Sequence, residues 1–240
     1  MKIRQNLTQS HDRVWREIAR PGAWLTGQKR VAVGAETRAA RQCGYCQERK
    51  VQLSPAGVSG EHTTPARDLS SAEVELVHKL VSDPGRITRR WVEQLWDAGL
   101  SDAEYVEIAG VVSAVIVVDT FHAALGLPLR ALPLPQTGEP SRRRPRTAVL
   151  EQSYVPMIPV EGLVDDYVDL YQSGAFVPNV HRAFSLVPEL TRLADDLMAS
   201  HYFRYEQVPG YTDADHDYAV NKMQMELIAA RVSRHNDCFY

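Results

Sequence analysis

Apolar positions recur at three- and four-residue spacing along most of the chain, and no stretch keeps the period of two that a half-buried strand requires. Two segments read almost alike, Leu69-Ser70-Ser71-Ala72-Glu73 and Leu100-Ser101-Asp102-Ala103-Glu104. In each, a serine accepts from a backbone N–H one turn in while the glutamate three residues on reaches back, a capping box. Helices are therefore predicted to start near 71 and 102. The first carries Val74, Val77, Leu80 and Val81. Between the two, Trp91, Leu95 and Trp96 predict a helix after Asp83-Pro84-Gly85 that Gly99 stops. From Tyr105 to Leu125 the chain is apolar nearly all round until Gly126 and Pro128 end it, the pattern of the central helix of a bundle. Helical pattern also marks Ala35–Arg41 and returns at Leu163–Tyr171, His181–Ser185, Glu189–His201 and Ala214–His235. The expected fold is an all-α bundle.

Between the helical stretches, the proline-rich run from 128 onward and the basic cluster Ser141-Arg-Arg-Arg-Pro-Arg146 predict an extended, solvated connector. The expected organisation is a helical unit over 1–135, a connector over 136–160 and a second helical unit over 161–240. With 240 residues, 44% hydrophobic and 24% charged, the chain buries a core, and a net charge of -3 supplies no general attraction for nucleic acid. The run Ile108–Val118 falls short of the roughly 20 apolar residues of a membrane span. The opening Met1-Lys-Ile-Arg-Gln-Asn lacks a leader pattern, and three cysteines are an odd number, so the reading is a cytoplasmic protein in a reducing compartment. No glycine-rich phosphate loop, Gly-x-Ser-x-Gly or His-Glu-x-x-His motif occurs, which disfavours nucleotide and serine-hydrolase chemistry.

Candidate chemistry lies in three places. Cys43-Gly-Tyr-Cys46 brings two sulfurs within bonding reach, for metal binding or for a dithiol–disulfide cycle. A zinc ion wants four ligands, and Cys238 with one of eight histidines would have to complete the set, so no metal and no other cofactor is expected. Arg38, Arg41, Arg49 and Lys50 nearby favour a thiolate. On the apolar helix, Asp119 and His122 share a face and are expected to form a carboxylate–imidazole pair. His62 and His78 lie in polar sequence and read as solvent histidines. At the C-terminal end, Glu226 and Cys238 are separated by eleven residues, about 18 Å on one straight helix at ~1.5 Å per residue.

The phrase from Glu226 through His235 to Cys238 resembles the alkyl hydroperoxidase D and carboxymuconolactone decarboxylase superfamily, whose redox motif reads Glu-x11-Cys-x2-Cys-x3-His. The order of CxxC, Leu-Ser-Ser-Ala-Glu, Gly-Leu-Ser-Asp-Ala-Glu and the helix ending Leu-Gly-Leu-Pro, over roughly 24–128, is also similar to this family. The resemblance implies two tandem repeats, the second incomplete, of an all-helical fold that assembles into homo-oligomers. It implies a CxxC pair that reduces hydroperoxides with an external thiol or dithiol as reductant, while a glutamate and a histidine move protons. The family habit makes Cys46 the attacking thiol. The match is partial. Glu226 and Cys238 fit the motif's glutamate and first cysteine, but the chain ends at Tyr240, before the second cysteine. Around Cys43 and Cys46 the glutamate and histidine positions hold Val31 and Lys50. Glu226, His235 and Cys238 are thus expected to complement the N-terminal thiols. The alternatives are acid–base chemistry on a small lactone by His122 or Glu226, and a degenerate scaffold whose job is assembly.

Overall fold

The computed structural model describes residues 3–171, 177–202, 218–236 and 238. The fold is all-α. Among the described residues the helices are α1 Gln5–Ala19, α2 Gly27–Ala40, α3 Gly44–Val51, α4 Ser71–Ser82, α5 Arg89–Asp97, α6 Asp102–Ala124, α7 Asn179–Arg182, α8 Pro188–His201 and α9 Lys222–His235. Among those residues, extended pairing is confined to one isolated antiparallel bridge, Val149–Met157.

Both capping boxes form: Ser70 and Ser101 cap α4 and α6, with Glu73 and Glu104 returning the bond. Thr88 caps α5 and Gly99 follows its end in the left-handed region that glycine tolerates, with φ 92°. α6 packs against α1, α2, α4 and α8, so it buries several faces at once and needs no polar stripe. Ile108, Val111, Val115 and Val118 sit inside one core with Val14 and Ile18 of α1, Val33 of α2, Leu76 and Val77 of α4, and Leu190 of α8. By length and composition α6 is apolar enough to cross a membrane. Here that apolarity is matched to neighbouring helices. At Gly110 the helices touch closely: a Cβ there would lie 2.5 Å from Leu190 Cδ1.

Several elements differ from expectation. α1 was not among the predicted helices, although Leu7, His11, Val14, Trp15 and Ile18 form its buried face at helical spacing. The stretch 163–171 is no α-helix. It holds the 3-10 turns Val160–Gly162 and Asp165–Tyr167, because Asp165 adopts a left-handed backbone, φ 51°, that a right-handed helix excludes. Leu170 and Tyr171 there join Ile158 and Val177 in a second, small core. The predicted helix over 214–235 is observed from Lys222, and residues 214–217 lie outside the described set.

The proline- and arginine-rich stretch is extended but tied down. The backbone N–H groups of Gln136, Ser141 and Arg142 donate to the carbonyls of Ala19, Gly22 and Ala23. Arg144 grips Asp102 with two bonds of 2.7 Å. That strap faces the turn after α1, where Arg30 is enclosed. It donates to Glu17 O at 2.8 Å and lies 3.3 Å from Glu107 Oε1. Glu107, on α6, accepts from Trp24 N–H at 2.6 Å. Burial pushes the Glu107 carboxyl up, an effect that Arg30 and the backbone donors oppose. Removing one partner of such a buried pair leaves the other charge uncompensated. Arg30→Met is expected to lower stability by ~3–5 kcal/mol in urea unfolding, and a loss below ~1 kcal/mol would contradict the enclosed pair.

Candidate functional site

Cys43 occupies the N-cap position of α3 and Cys46 lies one turn inside it, so both sulfurs face the seam between α3 and α4. Both residues are buried. Two imidazoles meet them there. His78 Nδ1, from α4, lies 3.2 Å from Cys46 Sγ. His62 Nδ1, from the irregular segment between α3 and α4, lies 3.4 Å from Cys46 Sγ and 3.8 Å from Cys43 Sγ. The four potential ligand atoms all fall within 4.8 Å of one another.

Each imidazole is held from behind by a carboxylate. His78 Nε2 bonds Glu36 Oε1 of α2 at 2.7 Å, and His62 Nε2 bonds Glu75 Oε2 of α4 at 2.7 Å. A carboxylate only accepts, so both Nε2 atoms carry hydrogen and both Nδ1 atoms are turned to sulfur. Glu36 also ties down the loop. Its other oxygen accepts from Thr64 Oγ1 at 2.7 Å and from Ala66 N–H at 3.3 Å. Glu75 accepts in addition from Arg49 at 3.0 Å and from Trp91 Nε1 at 3.1 Å. Gly60 makes room on the other side, since a Cβ there would lie 2.7 Å from the Tyr45 ring, which packs edge-on to His62.

The charges follow from these contacts. Burial pulls the His62 imidazole down, but hydrogen bonds to Cys46, Glu75 and Cys43 outweigh it and hold it at about 10. Burial would push the Glu75 carboxyl up, yet His62 and Arg49 draw it to about 2. Cys43 is raised by burial and lowered more strongly by backbone bonds from Thr63 and Cys46 and by His62, reaching about 7. His78 is lowered, chiefly by burial, with the Glu36 bond opposing.

Of the residues singled out in the sequence, Cys43 and Cys46 lie in this cluster. His62 and His78 are the principal correction: they are not solvent histidines, and His78 is fully buried. They supply the partners that the CxxC pair was expected to lack. Asp119 and His122 do not pair. Asp119 takes two bonds from Arg38, at 2.9 and 2.8 Å, while His122 Nδ1 bonds Pro128 O at 2.8 Å. Arg38 and Arg41 are likewise turned away from the thiols, Arg41 toward Thr120, and Arg49 reaches Glu75. Positive charge beside sulfur comes chiefly from the His62 imidazole, with the Arg49 guanidinium close enough to Cys46 to add to it through space. Glu226, His235 and Cys238 are solvent-exposed on and just beyond α9, outside the buried cluster.

Glu36, Glu75, His62 and His78 carried signals that sequence reading passed over. The cluster reads Cys-x2-Cys-x15-His-x15-His. His78 shares the inner face of α4 with Val74 and Val77, where a polar residue must find a partner. Glu36 sits likewise among Val33, Thr37 and Ala40 on α2.

Burial separates the three thiols in reactivity. In the reduced protein a chromogenic disulfide reagent is expected to label Cys238 in a fast phase, with Cys43 and Cys46 following in a clearly slower one. Fast labelling of all three, or its survival in Cys238→Ser, would contradict the burial.

No protein-family model matches this chain, and neither a curated protein nor a solved structure matches it.

Proposed function

We propose that the protein is a thiol-dependent oxidoreductase that reduces hydroperoxides through Cys46 and Cys43. The observation that carries this reading is the pair of Glu–His–Cys relays converging on Cys46, Glu75–His62 and Glu36–His78. The similarity to alkyl hydroperoxidase D-type proteins supports it through residue types: a CxxC, glutamate and histidine, with the acid and base drawn from other positions in this chain.

In the reaction, Cys46 as thiolate attacks the terminal oxygen of ROOH. The S–O bond forms, the O–O bond breaks, and the departing alkoxide takes the proton held at His62 Nδ1 to leave as ROH. Cys46 is then a sulfenic acid. Cys43, whose thiol is held low at the N-terminus of α3, attacks that sulfur; the S–S bond forms and hydroxide leaves, protonated to water. An external dithiol returns two electrons and two protons. Glu75 and Glu36 keep both rings oriented and their Nδ1 atoms on sulfur. Access to the buried thiols lies through the segment over 52–70, most of which is exposed and which has a single 3-10 turn of regular structure.

The test is consumption of cumene hydroperoxide by chelator-treated protein with dithiothreitol as reductant. The expected result is one Cys43–Cys46 disulfide per hydroperoxide when the pre-reduced protein turns over once without added dithiol, and continued consumption once dithiothreitol is present. Cys46→Ser loses the reaction and His62→Ala slows it by ~100-fold, the scale of one positioned proton donor. Hydroperoxide loss no faster than with free cysteine, or turnover that survives Cys46→Ser, would overturn the reading.

A further inference from the structure

We propose that Cys43, Cys46, His62 and His78 also form a closed, four-ligand site for a divalent thiophilic cation of the zinc class, filled when both thiols are reduced. The argument is geometric and does not depend on peroxide chemistry. A tetrahedral zinc with Zn–S near 2.3 Å and Zn–N near 2.0–2.1 Å sets sulfur and nitrogen ligands about 3.5 Å apart along the edges of the tetrahedron. The observed sulfur–nitrogen separations are 3.2, 3.4 and 3.8 Å. The fourth such edge and the remaining two lie within the 4.8 Å that encloses the whole set.

Ligand chemistry agrees with the geometry. Two thiolates balance a dication, and a sulfur–imidazole set selects zinc over magnesium or calcium, which take oxygen. The rings are already turned for the purpose. Metal-bound histidine presents one nitrogen to the ion and donates the other N–H to a carboxylate, which fixes the tautomer. Glu36 and Glu75 hold both histidines in that arrangement, each at 2.7 Å. Two carboxylate-backed imidazoles bring their remaining nitrogens onto one pair of sulfurs, the convergence that a shared ion requires and separate structural histidines do not.

The ion would join four pieces of chain: the start of α3, the loop at 62, α4, and α2 through Glu36. Most of the segment over 52–70 is exposed, so few apolar contacts hold it down. Binding energy at such a site adds to folding energy. Metal and disulfide exclude each other, because forming the Cys43–Cys46 bond consumes both thiolate ligands.

The experiment is an anaerobic titration of the reduced, metal-free full chain with Co2+, followed by displacement with Zn2+. One equivalent per chain is expected, with the visible d–d bands of tetrahedral cobalt and a thiolate charge-transfer band, both abolished by zinc. Glu36→Gln is expected to weaken affinity by ~10–100-fold, and Cys238→Ser to leave it unchanged. Far-UV circular dichroism of the metal-free variants checks that they fold. Should one unfold, the wild-type spectrum and Cys238→Ser still decide. Absence of the charge-transfer band in reduced wild-type protein overturns the site, as does a band that persists in His62→Ala/His78→Ala or vanishes in Cys238→Ser. Peroxide turnover of the stripped protein is read separately, so the failure of either activity leaves the other visible.

Discussion

A carboxylate and an imidazole, both sealed from solvent, meet at 2.7 Å where α2 crosses α4, and the arrangement of the site rests on that contact between Glu36 and His78. A buried carboxylate without partners costs several kcal/mol. Glu36 avoids this by accepting from three directions: a ring nitrogen, a hydroxyl and a backbone N–H. In doing so it fixes which His78 nitrogen faces sulfur. It also pins Thr64 and Ala66, which bring the loop back so that His62 lies over the same sulfur pair. Loss of the carboxylate would free a ring and a loop together.

The helical body supplies the rigidity that this contact needs. α6 is apolar on nearly every side and is enclosed by α1, α2, α4 and α8. Glu36 and His78 therefore sit on two helices braced by a third. The segment over 52–70, in contrast, is held in part by polar bonds to Glu36 and Glu75. Site and loop depend on each other: polar contacts order the segment, and the ordered segment supplies one of the two imidazoles.

Much of the helical framework was legible in the sequence because its signals are local. Ser70 with Glu73 and Ser101 with Glu104 announce their helices within four residues. α1 was equally legible in its spacing, with Leu7, His11, Val14, Trp15 and Ile18 recurring along one face. At 163–171 a helical pattern lost to tertiary packing, with Leu170 and Tyr171 placed in a small core of their own. The site was legible only in its cysteines. His62 lies in a polar stretch that looks like open surface, and its burial depends on Glu75 and Tyr45 folding under it, which no local pattern announces. Asp119 misled for the converse reason: its three-residue spacing to His122 permits a pair, but Arg38, distant in sequence, offers two hydrogen bonds. Glu226, His235 and Cys238 formed a motif on paper, and α9 leaves all three exposed.

The central claim is that Glu36 and Glu75 hold His78 and His62 with Nε2–H toward carboxylate and Nδ1 toward sulfur. Long-range proton–nitrogen NMR correlation of the histidine rings in the reduced protein, titrated across the neutral range, tests it most directly. The account predicts that both rings keep a proton on Nε2 throughout and that neither titrates as a free imidazole near ~6.5. A neutral ring carrying its proton on Nδ1, or a pair of rings titrating together near that value, would contradict it.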